Sequence, residues 1–431
     1  MKRVFCIADY GAVANSDALQ TAAIQAAIDA CFLAGGGEVA IPSGRYRTGG
    51  LHLRSRVTLH LLEDAVLEGS RDPEDYIGFY DDTVEQIAPV EDKEYSRAPA
   101  QRWYNSLIRA YMAHDMAIIG EKGSEINGMN CFDALGEEDF RGPHAICFYG
   151  CKNIELSGYT VRDSANWAHC ITRCQNVYVH GVNVQAGHDG IHVRGSDHVI
   201  IEDSTFHAGD DAIGGYNNRS VAILRCDLNS ACSTLRFGGT DVLVDRCRMH
   251  GPGIYGHRMT LTREQQIAGV LATPENSRNN TLNAVLYFCR AATNIPTLPG
   301  NFVVQNCEIS GIDRLFNLNF NKGDIWCAGR GLNDITFRNC RVDGVRRHFY
   351  ASSNPDEPIT VRLEDVDITA REGCGGEDFM LASDFRKIEL CRVSAKGFDG
   401  TPVIRISSKT TPSKDKVVEI TDCDEFHIER V

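Results

Sequence analysis

The chain has 431 residues, 43% hydrophobic and 24% charged, with a net charge of −14 at pH 7. These are the fractions of a soluble globular protein, and no run approaches the ~18 apolar residues of a membrane span. An acidic excess of this size argues against a nucleic-acid partner, whose phosphates need a broad positive surface, and an acidic substrate would require a local basic pocket.

Met1 to Tyr10 contains a basic pair and only a short apolar run before Asp9, without a secretory signal's long apolar region. A cytoplasmic protein is expected. The 17 cysteines are odd in number and many recur at equivalent places, which reads as reduced thiols with no essential disulfide.

In chain order, the first predicted element is a helix. Asp17 is placed to cap it, Gln20 sits three residues on, and Ala22, Ala23, Ile24, Ala26, Ala27, Ile28 and Ala30 form an apolar face ending at Gly35-Gly36-Gly37. Short strands follow at Val39-Ala40-Ile41, Leu51-His52-Leu53, Val57-Thr58-Leu59 and Val66-Leu67. One amphipathic helix before many strands suits a cap, about residues 1–38, over the end of a β stack.

From residue 151 one motif recurs, with first apolar residues at Ile154, Val177, Val199, Val221 and Val242 and separations of 23, 22, 22 and 21. Each copy reads apolar, variable, apolar, and later copies begin at Phe302, Ile335, Val361, Ile388 and Val418. A period of this length with short strands and no helix-length pattern means a β solenoid, since a propeller blade needs roughly 40 residues. The predicted fold is an all-β, right-handed parallel β-helix forming a single domain over residues 1–431. Alternation places the first and third residue of each strand inside. Cys226, Cys247, Cys307 and Cys340 share one site after the strand and are expected to stack inside the coils; no metal is expected. Residues 72–104 and 262–299 interrupt the rhythm as loop insertions able to wall a groove.

Aligning coils on Ile171, Ile191, Ile213 and Leu235 places His169, Asp189, Asp211 and Ser233, two positions earlier, in one column. Asp189, Asp210 and Asp211 then share a patch on the outer face. Like charges so close resist simultaneous ionisation, which raises one of them and supplies an acid able to protonate a leaving oxygen. An inverting glycosidase needs that acid and a second carboxylate to activate water. The plainer alternative is aspartates accepting turn amides.

These residues resemble glycoside hydrolase family 28, the polygalacturonase-like, pectin-degrading enzymes, in a divergent form. Asp9-Tyr10-Gly11-Ala12 is similar to the family's opening, as is Leu51 to Ser70; Arg141-Gly142-Pro143-His144 is loosely similar to its Arg-Pro segment, and Asp163-Ser164-Ala165-Asn166-Trp167 resembles its Asn-Ser-Pro-x-Trp stretch. Asp189-Gly190-Ile191 and Gly209-Asp210-Asp211-Ala212-Ile213 match its two aspartate motifs. The resemblance implies a parallel β-helix, Asp210 as general acid, and Asp189 and Asp211 activating water for inversion. It also implies an oligo- or polysaccharide substrate and calls for no cofactor.

There are departures. Gly187 stands for the family's Asn, with His188 next; Ala231-Cys232-Ser233 lacks the histidine of its Gly-His-Gly; and Arg258-Met259-Thr260 keeps an arginine but not the lysine of its Arg-x-Lys pair. Plain polygalacturonan is therefore a doubtful substrate. His192 and Arg236 are candidates to meet an anionic or hydroxyl-rich sugar, with a solvated outer-face position the alternative. His257 and Arg258 are candidates of the same kind. His188 and His169 also fit structural roles, and Trp167 and Tyr216 fit either a sugar ring or the core. Two other functions stay open on this scaffold: a lyase in which Arg236 or Arg258 removes a proton beside a uronate carboxylate, and a carbohydrate-binding protein without catalysis.

Overall fold

The computed structural model describes residues 3–76, 100–290, 297–320, 329–407 and 416–431. Its strands are short and pair in parallel, as a parallel β-helix requires. The described residues fall into two compact units. One comprises Met1–Asp210 and Tyr255–Arg278, the other Asp211–Ile254 and Asn279–Val431.

In the first unit three ladders run side by side. One passes through Gly37–Ile41, Val57–Leu61, His114–Gly120, Lys152–Ser157, Gln175–His180 and Asp197–Glu202. A second passes through Gly44–Thr48, Ala65–Gly69, Glu125–Asn127, Thr160–Arg162, Asn183–Ala186 and Thr205–Ala208. The third joins Leu51–His52, Ser106–Tyr111, His144–Tyr149, His169–Thr172 and Ile191–Arg194. Ile154 lies opposite Val177, and Val177 opposite Val199, as the repeat predicts. In the second unit Val221, Val242, Phe302, Ile335, Val361, Ile388 and Val418 stand opposite one another in turn. The alternation holds: Ile154 and Leu156 are buried while Glu155 between them is partly exposed.

The turns show why the period is so regular. Asp115, Asn153 and Asn176 adopt left-handed backbone at the same corner, a conformation short polar side chains tolerate. Asn176 Nδ2 donates to Asn153 Oδ1 at 2.9 Å and Asn153 Nδ2 to Asp115 Oδ1 at 2.7 Å, so one side-chain ladder ties three corners. The cysteines predicted to stack do so. Cys226, Cys247, Cys307 and Cys340 are buried thiols, each sulfur near the carbonyls of its own or the preceding coil.

The amino-terminal helix spans Thr21–Leu33 and buries Ile24, Ala27, Ile28 and Cys31. Its start differs from the expected cap. Gln20 is the N-cap residue, with no side-chain cap bond, and Asp17 pairs with Arg45 at 2.9 Å. Gln25 locks the helix to the first coils by exchanging hydrogen bonds with the main chain of His52. The stretch 262–299, read as one insertion, holds a ladder strand at Thr281–Tyr287 that pairs with Ser233–Asp245 and Ile312–Asn319. Its alternation is hidden by the irregular chain before it. Of 72–104, residues 77–99 lie outside the described residues; Pro73–Tyr76 and Ala100–Trp103 form single turns. No described helix is long and apolar enough to cross a membrane.

Leu156 is fully buried inside its coil, whereas Lys152 on the same strand is exposed. Leu156→Ala is expected to destabilise the protein by about 2–5 kcal/mol and Lys152→Ala by no more than about 0.5 kcal/mol, read as the shift of a denaturant midpoint.

Candidate active site

Asp189 and Asp210 both lie in the first unit. Asp189 precedes strand Ile191–Arg194 and accepts a main-chain hydrogen bond from Ala168 at 2.9 Å. Its register departs from the expected alignment. Ile171 lies opposite Val193, not Ile191, so Asp189 stands two places further back and His169 is not its neighbour in a column. Asp189 Oδ2 accepts from His192 Nδ1 at 2.7 Å, and both side chains are fully buried. The His192 ring stacks on Trp167 with centroids 3.8 Å apart and planes 5° from parallel.

Asp210 is placed by a close approach of backbone. A Cβ at Gly209 would meet the carbonyls of Gly256 at 2.3 Å and Gly187 at 2.6 Å, so only glycine lets the chain pass there. The Asp210 side chain is 17% exposed, and a carboxylate oxygen of Asp210 lies within 4.8 Å of one from Asp189.

An excursion of the chain, strand Phe132–Glu137 returning through Arg141, brings in Glu137 and Glu138, which no sequence motif marked, beside the Arg141 of the loose Arg-Pro similarity. Arg102 anchors it, pairing with Asp133 at 3.0 Å and Glu74 at 2.5 Å. Arg141 is buried and reaches Glu138 at 2.6 Å, Asp210 at 3.6 Å and Glu137 at 3.9 Å. Burial works against its charge, but Glu138, Glu137, Asp210 and Asp189 together hold the guanidinium firmly protonated. Burial pushes the Glu137 carboxyl up to about 7, with Arg141 opposing the rise.

A basic group faces this one. Arg258, on a single turn Arg258–Thr260, is 2% exposed; its Nη1 donates to Asn130 at 2.8 Å and lies 3.5 Å from His188 Nε2. Its Nε and Nη2 have no hydrogen-bond partner among the described residues, and the guanidinium sits 5.7 Å from the centre of the Phe140 ring. Burial, then the field of Arg141, brings it down to about 10. His257 Nε2 approaches Asp210 at 3.7 Å. Burial holds His257 and His188 below the usual histidine range, in His188 reinforced by the charges of Arg141 and Arg258.

In the second unit, Asp211 is 1% exposed and pairs with Arg236, whose guanidinium lies 4.6 Å from the centre of the Phe288 ring. Tyr216 packs edge-on against the same ring at 4.8 Å and is buried. Tyr216 and Trp167 are therefore packing residues in this structure, as is His169, which bonds Gly190 and Tyr159 at 3.0 Å each. The solvated outer-face alternative for His192 and Arg236 does not hold, because both are buried against a carboxylate. Of the expected residues, Asp189, His192, Asp210, His257, His188 and Arg258 come together in the first unit. Arg141, Glu137, Glu138 and Asn130 were missed. The loose Arg-Pro similarity was the one available sign of Arg141.

Comparison with known proteins supports the resemblance. Residues 94–231 match the model of glycosyl hydrolases family 28, a stretch that contains all three aspartates. The chain is 27% identical over 255 residues to an exo-poly-alpha-D-galacturonosidase of Dickeya chrysanthemi, covering 49% of this chain but only 41% of that protein. Among solved structures it is similar to the polygalacturonase of Erwinia carotovora, with a TM-score of 0.58 and 14% identity over 99% of this chain and 97% of the other. The family 28 exopolygalacturonase of Yersinia enterocolitica gives 0.57 and 17% over 100% and 77%. The structural likenesses show the parallel β-helix fold, and residues 94–231 are similar to family 28.

The buried histidines predict an acid-labile fold. Burial lowers His169 from 6.5 to about 4, so between those values the unfolded chain takes up a proton that the folded protein refuses. Stability then falls as pH drops through this window, by up to ~3 kcal/mol for this group. Urea titrations of wild type and His169→Gln at pH about 7 and about 4.5 should show a smaller acid loss in the variant.

Proposed function

We propose that the chain is an inverting glycoside hydrolase that cleaves an O-glycosidic bond in a pectin-related, uronate-containing oligo- or polysaccharide. The observation that carries this reading is Asp210. Alone among the three aspartates it reaches solvent, at 17% exposure, and it stands within 4.8 Å of a second carboxylate. Following the family resemblance, Asp210 is the general acid that protonates the leaving oxygen, and Asp189 and Asp211 activate the attacking water. Inversion of the anomeric carbon is what the resemblance implies, with water attacking from the face opposite the leaving oxygen.

Arg258 supports the uronate. A buried cation is stable only when paired, and two of its nitrogen positions have no partner among the described residues. A substrate carboxylate that displaced the cover over Arg258, 2% exposed here, would supply that charge and accept both N–H groups in the fork geometry guanidinium favours. His188 and His257, kept neutral beside it, would offer hydrogen bonds to hydroxyls without adding charge.

A second reading has its own support. Asp189 and Asp211 are sealed and committed to His192 and Arg236, which favours a sugar-binding protein without turnover. An assay of wild type and Asp210→Asn on acidic oligosaccharides separates the two. For the hydrolase, the variant loses about 10²–10⁴-fold in rate, and NMR of the first product shows the inverted anomer. A retained anomer would overturn the water-activating roles, and binding by both proteins without product would establish the second reading. Arg258→Lys should raise KM for uronate oligomers about 10-fold or more, as loss of a charged hydrogen bond does, while neutral oligomers change little.

A further inference from the structure

Glu137 has no part in the reaction proposed above, yet it shares a guanidinium with Asp210. Arg141 spreads its nitrogens over three carboxylates: Nε to Glu138 at 2.6 Å, Nη2 toward Asp210 at 3.6 Å and Nη1 toward Glu137 at 3.9 Å. Asn166 closes the cluster, its Oδ1 accepting from Arg141 Nη1 and its amide donating to Glu137 Oε2, each at 3.4 Å. The same Asn166 oxygen accepts from the Trp167 main chain at 3.0 Å, which fixes the amide in place. Glu137 and Arg141 are 7% and 5% exposed, so water screens neither. Glu138 and Asp210 keep contact with solvent, at 36% and 17% exposure, whereas Glu137 is buried and shares its nearest guanidinium with both, so of the three carboxyls it loses most by ionising.

The surrounding groups do not supply that proton. Arg194 faces Glu137 from strand Ile191–Arg194, and Arg258 faces Arg141 from its own turn; both are cations. His144 and His188 stand near Arg141 and His257 beside Asp210, and burial, the largest cause in each, keeps all three below the usual histidine range, His144 at about 3. Asp189 and Glu138 complete the acidic side. Titration near neutrality in this cluster therefore belongs to the carboxyls, and Glu137, raised to about 7, is placed for it.

We propose that Glu137 is a positioning residue that acts on Asp210 through Arg141, its charge deciding how much of the guanidinium's field is left for Asp210. With Glu137 protonated, Arg141 is divided between Glu138 and Asp210 and favours Asp210 as a carboxylate. When Glu137 gives up its proton to solvent, the new negative charge draws on the same guanidinium, and Asp210 holds a proton more readily. The two carboxyls titrate as a pair. Above neutral pH this keeps acid available at Asp210. The catalytic consequence rests on Asp210 being the general acid; the electrostatic coupling does not.

The test follows side-chain carboxyl carbons by NMR in protein labelled with ¹³C aspartate and glutamate, the Asp210 signal being assigned by its loss in Asp210→Asn. In wild type the Asp210 signal should show an inflection at the Glu137 midpoint. Glu137→Gln should abolish that inflection, and Arg141→Gln should move the Glu137 midpoint up by a unit or more. In kinetics, Glu137→Gln should lower the ratio of kcat at pH about 8 to kcat at pH about 6 by roughly tenfold, the equivalent of one unit of coupling, with part of the ratio restored in Glu137→Asp. A purely structural Glu137 would depress both rates together. An Asp210 titration identical in wild type and Glu137→Gln, or parallel pH profiles, overturns the proposal. Absence of turnover by wild type sinks the hydrolase reading instead and leaves the NMR comparison to decide this one.

Discussion

Main-chain hydrogen bonds running from one coil to the next, strand over strand in parallel, are the constraint on which each unit depends. A strand in such a stack has neighbours on both sides at ~4.8 Å, so each residue's position is repeated by one in the next coil. Any residue type that fits a site once is favoured there again. The inward valines and isoleucines, the buried cysteines and the Asn153–Asn176 corner ladder are three expressions of that one repetition. Because coil spacing is set by backbone, a side chain at a corner can be held firmly without a dense local core.

That firmness bears on the charged residues of the first unit. Asp189, Arg141 and Arg258 are all buried, and burying charge in a compliant fold would drive relaxation or a change of protonation. Here each is held by a specific neighbour: His192 on Asp189, Glu138 on Arg141, Asn130 on Arg258. The stacking of His192 on Trp167, with Arg194 5.5 Å from the centres of both the Trp167 and Trp103 rings, adds a rigid aromatic wall behind Asp189. A carboxylate so fixed has little freedom to swing away from a reacting centre, which is the condition for electrostatic preorganisation.

Much of this frame is legible from the residues because it is periodic. Ile154, Val177 and Val199 announce their register by spacing, and so do Val242, Phe302 and Ile335 despite the longer gaps between them. Asp189 and Asp210 are legible through short motifs. What escapes is whatever depends on loop length. The two-residue displacement of Asp189 from His169 escapes because Ile191 and Val193 are both buried and apolar, and period-2 alternation hides such a slip, since either can stand opposite Ile171 with its side chain inward. Arg141 and Glu137 escape for a related reason: they sit on an excursion outside the repeat, where no column exists to align them.

The distribution of charge then becomes intelligible. A chain with a net charge of −14 repels an anionic polymer over most of its surface, and at physiological ionic strength that repulsion is screened beyond ~8 Å. Recognition of an acidic sugar must therefore be local. Arg258 and Arg141, with the neutral His188 and His257 beside them, put two buried cations within a few residues of the carboxylates proposed to do the chemistry. Keeping those histidines uncharged matters, because two further cations beside Arg141 would hold Asp210 ionised at every working pH and remove the acid. Burial supplies that neutrality, and the same burial gives Glu137 its affinity for a proton. Desolvation thus acts on both sides of the site at once, suppressing charge on the histidines and favouring a proton on Glu137, and the guanidinium of Arg141 is the group through which the two effects meet.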